Sequence, residues 1–219
     1  MTDLLHNLVQ WDTDLLLAIN GWHCAWADLF MSYFSAKLVW VPMYAALAYV
    51  LWRNLTWRQF LGCVVAVVLT IVLADQVCSH VIRPLVCRLR PANPESPIVD
   101  LVHIVGERRG GRYGFPSCHA ANTFGLAFVV YFLLRSKLLS VFFIVWAVLT
   151  CYSRAYLGLH YPGDLLAGAV VGLGAAWLAY TLLVRVLRYR PPRPMVQAWV
   201  PIMVGGATVA VMLTMSFLP

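Results

Sequence analysis

Residues 60–82 read FLGCVVAVVLTIVLADQVCSHVI, an apolar run broken by a single formal charge, Asp75, and closed by Arg83-Pro84. As a helix rising 1.5 Å per residue this stretch reaches about 35 Å, enough to cross a hydrocarbon core of ~30 Å. Working outward, hydropathy marks further apolar stretches at Leu38–Trp52, Ala120–Leu134, Leu138–Tyr152, Leu165–Val184 and Val196–Phe217. The expectation is an all-α polytopic membrane bundle of about six transmembrane helices. The first, third and fourth stretches fall short of the ~20 residues a span needs. Residues 1–37 set Asp12, Asp14 and Asp28 among apolar groups such as Leu15–Ile19, which fits an interfacial N-terminal segment better than a full span.

Composition agrees. Of 219 residues, 62% are hydrophobic and 11% are charged. A soluble domain carries about 25% charged residues, so this inventory cannot cover a water-facing surface. No repeat, low-complexity tract or long linker divides the chain, and residues 1–219 read as one domain. The start, Met1-Thr2-Asp3, lacks the basic region of a secretory signal.

A net charge of +7 raises the question of a nucleic-acid partner, and the distribution of charge answers it. The connections after the first, third and fifth apolar stretches carry Arg53, Arg58, Arg135, Lys137, Arg185, Arg188, Arg190 and Arg193 and no acidic residue. The N-terminal segment carries Asp3, Asp12, Asp14 and Asp28 against Lys37. By the positive-inside rule the basic side is cytoplasmic. The expected partners are therefore a bilayer and no nucleic acid, in a bacterial cytoplasmic membrane. The remaining polar islands then face the extracytoplasmic side. The sequence sets no oligomeric state.

Those islands are Arg83 with Arg90-Pro91, then Pro116-Ser117-Cys118-His119, then Ser153-Arg154 followed by His160 and Asp164. Their groups suit a phosphate monoester. Arginine offers permanently charged, bidentate forks, and Arg83, Arg90 and Arg154 would form a cradle. Ser117, where the third stretch begins, suits a helix N-cap with backbone N–H groups aimed at the anion. A nucleophile must be a side chain if no metal serves, and an imidazole oriented by a carboxylate is available. The six cysteines, Cys24, Cys63, Cys78, Cys87, Cys118 and Cys151, show no metal-ligand spacing. No metal and no cofactor are expected.

The patterns Arg-x6-Arg-Pro, Pro-Ser-Cys-His and Ser-Arg-x5-His-x3-Asp resemble the three motifs of the type 2 phosphatidic acid phosphatase superfamily, from Arg83 to Asp164. The third matches in full. Arg83 stands where the family has lysine, and Cys118 where it has glycine. The resemblance implies that His160 is the nucleophile forming a phosphohistidine, that Asp164 orients its ring, and that His119 is the general acid. It places Arg83, Arg90, Ser117, Cys118 and Arg154 on the phosphate. It implies a lipid phosphate substrate, with undecaprenyl diphosphate first. Phosphatidylglycerol phosphate, lipid A phosphates and a lipid-linked phosphoryl transferase are the alternatives.

Plainer readings stand beside these. Isolated juxtamembrane arginines snorkel, and a single histidine is more often structural than catalytic; only the joint pattern argues otherwise. Asp75, deep in its span, is expected to partner an arginine. His80 and His103 have no place in the motifs. The Glu107–Arg112 segment is either a solvated loop or a reach toward a second phosphate or headgroup sugar. Gly168 and Gly172 suit close helix packing, and Trp52, Trp57 and Trp199 suit interface anchoring. Cys87 and Cys118 either stay thiols or join as a disulfide that clamps two islands.

Overall fold

A computed structural model describes residues 2–189 and 196–218. Among these residues there is no strand, only an isolated antiparallel bridge between Leu89 and Tyr113. The helices are α1 (Thr2–Asn20), α2 (Ala25–Phe34), α3 (Val41–Asn54), α4 (Trp57–Gln76), α5 (Arg83–Val86), α6 (Cys118–Leu134), α7 (Lys137–Tyr156), α8 (Pro162–Leu187) and α9 (Val200–Phe217). Between α4 and α5 the chain keeps winding through a wider π-type segment, Val77–Ile82.

Four helical segments are long and apolar enough to cross a membrane: Trp57–Val86, Lys137–Tyr156, Pro162–Val186 and Val200–Phe217. The pair Ala25–Phe34 and Lys37–Asn54, bent by 64°, is a fifth candidate if it is counted as one broken span. The third expected stretch corresponds to α6, whose 17 residues fall below the same test, so the described residues give four or five candidate spans rather than six. The reason lies in its position. Helix α6 packs on α4, α7 and α8, and Ala120, Ala121, Ala127, Val129 and Leu133 on it are buried. A helix screened by its neighbours is not held to the bilayer thickness by its own surface.

Close packing of α6 on α8 uses the small residues picked out from sequence. A Cβ at Gly168 would collide with the Ser117 carbonyl, and one at Gly172 with the Ala121 carbonyl and the Gly125 amide. The outer faces are apolar as well: Val65, Val68, Leu166, Val170 and Trp177 are each more than half exposed. That much greasy surface suits lipid.

Two ends are distinct. Asn54 bonds the Val196 backbone in both directions, at 2.9 and 2.7 Å, and the Tyr189 hydroxyl donates to Leu133 O at 2.8 Å. These contacts gather Arg53, Arg58, Arg135, Lys137, Arg185 and Arg188 at one end, with Trp52, Trp57 and Trp199 around them. Arg190 and Arg193 lie outside the described residues. At the other end Asn20 of α1 donates to Tyr156 O at 2.6 Å and His103 O at 2.9 Å. Helix α1 is thereby tied across the mouth of the bundle, with Leu16 inside and Leu4, Leu5, Leu8, Val9 and Trp11 outside.

Candidate active site

The three islands meet at the α1 end, and short-range geometry explains how. Helix α5 stops at Cys87, which takes a left-handed conformation (φ 50°, ψ 29°) and donates its N–H to Arg83 O. The turn sends Arg88, Leu89 and Arg90 back across the bundle. There Gly114 N–H donates to Arg88 O at 2.8 Å and Arg90 N–H to Arg112 O at 3.1 Å. This pinned pair of extended segments delivers the chain to Ser117, which caps α6 by accepting from Ala120 N–H. Ser117 N–H in turn donates to Asp164 O at 3.0 Å, joining the second island to the third.

His160 and Asp164 sit either side of the α8 cap. The Asp164 carboxylate accepts from Tyr161 N–H at 3.1 Å, and its Oδ2 lies 3.5 Å from His160 Nδ1. Both side chains are buried. Arg90 Nη1 donates to His160 Nε2 at 2.7 Å and to Leu159 O at 2.9 Å. An arginine can only donate, so Nε2 carries the lone pair and the ring proton sits on Nδ1, facing Asp164. At 3.5 Å that second contact is longer than a good hydrogen bond, a common state for catalytic pairs without substrate. Gly114 permits the arrangement, because a Cβ there would sit 2.9 Å from Asp164 Oδ2 and 3.2 Å from Arg90 Cγ.

Charge converges on the imidazole. Burial, then the nearby positive charges of Arg90, Arg154 and Arg83, hold His160 well below the usual histidine value. Burial and the Arg83 charge likewise lower Arg90. His160 is therefore neutral and nucleophilic at neutral pH. The free enzyme should lose activity in acid only as the phosphate ester itself takes a proton, at about pH 6. We expect log kcat/KM to fall by about one unit in all from pH 7 to 5, approaching unit slope only below about pH 5. A slope of two would mean that His160 titrates with an ordinary value.

Each of the three sequence-predicted arginines has a buried Nε–H without an acceptor among the described residues. Arg83 otherwise donates through Nη2 to Pro116 O at 3.1 Å and to the Cys118 sulfur at 2.9 Å. Arg154 donates to Ser35 Oγ at 2.7 Å. A buried cation with unspent donors is costly, and a tetrahedral oxyanion would accept from all three. His119, in the first turn of α6, lies at the head of a cavity of about 470 Å³ shared with Lys37 and apolar residues of α3, α4 and α6. Arg154 is held through Ser35 at the C-terminal end of α2, while Arg83 comes from α5 and Arg90 from the turn after it.

Several expectations change. Asp75 forms no ion pair among the described residues. All six cysteines are free: Cys87 donates to Pro84 O, and Cys118 faces Ser79 and Arg83, so no disulfide clamps the islands. Of the Glu107–Arg112 loop, Arg109 ties down Ala92 O and Arg112 pairs with Glu95 in the open. His103 pairs with Asp28 at 2.9 Å and stacks on His23, outside the motif cluster. Two side chains went unread in the sequence. Arg88 pairs with Asp164 at 3.0 Å and with Asp12 of α1 at 2.7 Å. The only sequence signal for Arg88 was its place inside the Arg83–Arg90 interval; Asp12 had none.

Fold and site together define a membrane-type helical bundle with a cationic, histidine-bearing cluster at one end. The chain belongs to the PAP2 superfamily, whose family model matches residues 64–188. It is 57% identical over 169 residues, 77% of this chain and 75% of the other, to a lipid A 4'-phosphatase of Bacteroides thetaiotaomicron. A lipid A 4'-phosphatase of Porphyromonas gingivalis is 33% identical, covering 79% of this chain and 73% of its own. An undecaprenyl-diphosphatase of Sulfolobus acidocaldarius is 30% identical, covering 69% and 66%. The crystal structure of a transmembrane PAP2-type phosphatidylglycerolphosphate phosphatase from Bacillus subtilis superposes with a TM-score of 0.61, at 24% identity over 84% of this chain and 90% of that one.

Proposed function

We propose that the chain is a membrane lipid phosphatase that releases inorganic phosphate from a lipid phosphate, of the lipid A class, through a phosphohistidine. The observation that carries the reaction is the Nε2 lone pair of buried, neutral His160, held 2.7 Å from an arginine fork. Arg83, Arg90 and Arg154 spread the phosphoryl charge, helped by backbone N–H groups at the Ser117 cap of α6. As the bound phosphate draws the Arg90 fork away from His160 Nε2, the freed lone pair attacks phosphorus while the ester P–O bond breaks, and His119, protonated in the complex, passes its proton to the departing alkoxide. Asp164 accepts from Nδ1–H as positive charge grows on the ring. In the second half His119 takes a proton from water, whose oxygen attacks phosphorus while the P–N bond breaks. No step requires a metal. The basic residues at the opposite end argue for a site on the outer face of the membrane.

Lipid A phosphate moves ahead of undecaprenyl diphosphate because the relatives so named are 57% and 33% identical, against 30%. The test is phosphate release by the purified full chain from lipid A bearing a 4'-phosphate, undecaprenyl diphosphate, phosphatidylglycerol phosphate and phosphatidic acid. We expect kcat/KM to be highest for lipid A by tenfold or more. A faster diphosphate would restore the carrier-lipid reading. No release unless an acceptor alcohol is added would identify a transferase.

A further inference from the structure

Asp12 lies on the N-terminal helix, about as far from the motifs in sequence as this chain allows, yet its carboxylate touches the catalytic end twice. Oδ2 pairs with Arg88 Nη1 at 2.7 Å, and Oδ1 accepts from Gly163 N–H at 2.6 Å. Arg88 Nη1 also donates to Asp164 Oδ1 at 3.0 Å, and its guanidinium carbon lies over the Tyr161 ring, 3.8 Å from the ring centre. A Cβ at residue 163 would stand 2.7 Å from Asp12 Oδ2, so Gly163 is what admits the carboxylate. Asp12 thus grips the residues on both sides of Asp164: the arginine that pairs with it and the helical turn that carries it.

We propose that Asp12 and Arg88 are positioning residues, forming a relay through which the amphipathic helix α1 holds the Asp164 carboxylate toward His160 Nδ1. The inference rests on the phosphatase reading of the site. A buried carboxylate needs a cationic partner, and Asp164 is fully buried whereas Arg88 and Asp12 keep 22% and 16% of their side chains exposed. If Arg88 faced Asp164 alone, it would neutralise the charge meant for the imidazole. Shared between two carboxylates, Arg88 neutralises neither in full, which leaves Asp164 a stronger acceptor than an isolated ion pair would. The geometry also couples catalysis to the membrane surface. Leu4, Leu5, Leu8, Val9 and Trp11 project from α1 beyond the bundle, roughly half exposed or more, a face that an interfacial helix lays into lipid. Seating α1 then fixes Asp12, Arg88 and Asp164 in turn.

The experiment compares Asp12→Asn, Asp12→Glu, Arg88→Ala and Arg88→Lys with wild type in lipid nanodiscs, each first checked for folding by gel filtration. Partners that orient a catalytic group typically matter by about 10–100-fold. We expect Asp12→Asn to lower kcat about tenfold and Arg88→Ala about a hundredfold, with KM within twofold and the Glu and Lys variants partly restored. A merely structural contact would move KM or thermal stability and leave kcat alone. The pair Leu5→Ser, Leu8→Ser should lower kcat in wild type and add nothing to Asp12→Asn. Histidine 15N NMR gives a readout independent of turnover, with His160 assigned by His160→Gln. The Nδ1 proton should resonate downfield in wild type, as a proton shared with Asp164 does, and move upfield in Arg88→Ala, while the tautomer set by Arg90 stays the same. Wild-type kcat in Asp12→Asn, or an unmoved Nδ1 proton resonance in Arg88→Ala, would overturn the relay. A wild type that releases no phosphate from any lipid would instead sink the phosphatase reading, and the NMR result would still decide the relay.

Discussion

His160→Ala should reduce kcat by about 10⁴- to 10⁶-fold, the range seen when a covalent nucleophile is lost. The expectation follows from atoms. Nε2 is the one unprotonated nitrogen aimed at the arginine cluster, and neither water nor a neighbouring side chain stands in its place with the same orientation. Binding should persist, because the cationic cradle and the lipid-facing surface are untouched. KM should therefore change little, and the loss should fall on the chemical step. The companion result separates nucleophile from general acid. His119→Ala should lose about 10²–10⁴-fold on a lipid phosphate, yet recover on p-nitrophenyl phosphate, whose leaving group needs no proton. His160→Ala should recover on neither. Equal phosphate release by wild type and His160→Ala would remove histidine from the centre of the reaction.

How far the site could be read beforehand differs from one element to the next, with a common physical cause. Hydropathy draws the helix too short wherever a helix end carries a site residue. The third stretch was expected from Ala120, but α6 starts at Cys118 and includes His119. The fourth was expected to end at Tyr152, but α7 continues through Ser153 and Arg154 to Tyr156. The fifth was expected from Leu165, but α8 begins at Pro162 and takes in Asp164. In each case a polar residue that hydropathy reads as water-facing is satisfied inside the protein, by the site itself. A proline at the first helical position and an acidic residue in the first turn are ordinary at a helix start. Thr56 with Gln59 at the head of α4 is a legible capping box that hydropathy passes over.

The motif residues were legible because their relations are local: His160 and Asp164 flank one cap, and Arg83 and Arg90 flank one turn. Contacts made across the chain were not. Asp12 meets Gly163 across 151 residues and Arg154 meets Ser35 across 119, and no periodicity along the chain announces either. Cys118 shows the opposite case, a departure visible in sequence whose consequence needed coordinates. Its sulfur takes up an Arg83 donor at 2.9 Å, so in this chain the first arginine is held by the second island before any phosphate arrives.

Arg90→Ala should lower kcat/KM by about 10²–10³-fold, the cost of removing one preorganised donor from a site of developing charge. Two effects of the change oppose each other, and their sizes decide the outcome. Removing the guanidinium takes away the leading charge that depresses His160 after burial, so the imidazole becomes more basic and intrinsically a better nucleophile. It also takes away the fork that sits 2.7 Å from Nε2, and with it the alignment of phosphorus on the lone pair. The gain in basicity raises reactivity only while the ring stays neutral, and a rising value brings the protonated form closer to neutral pH. Loss of the cradle therefore wins. The acid limb of log kcat/KM should steepen from unit slope toward two as His160 begins to titrate with the substrate. Arg90→Lys should keep the ring depressed and the slope near one, since the charge remains. It should still fall well short of wild-type kcat/KM, because a single ammonium cannot serve Leu159 O, His160 and a phosphoryl oxygen with the planar geometry of the fork. A lysine variant with full activity would show that charge alone, and not the two-pronged geometry, is what the site requires at this position.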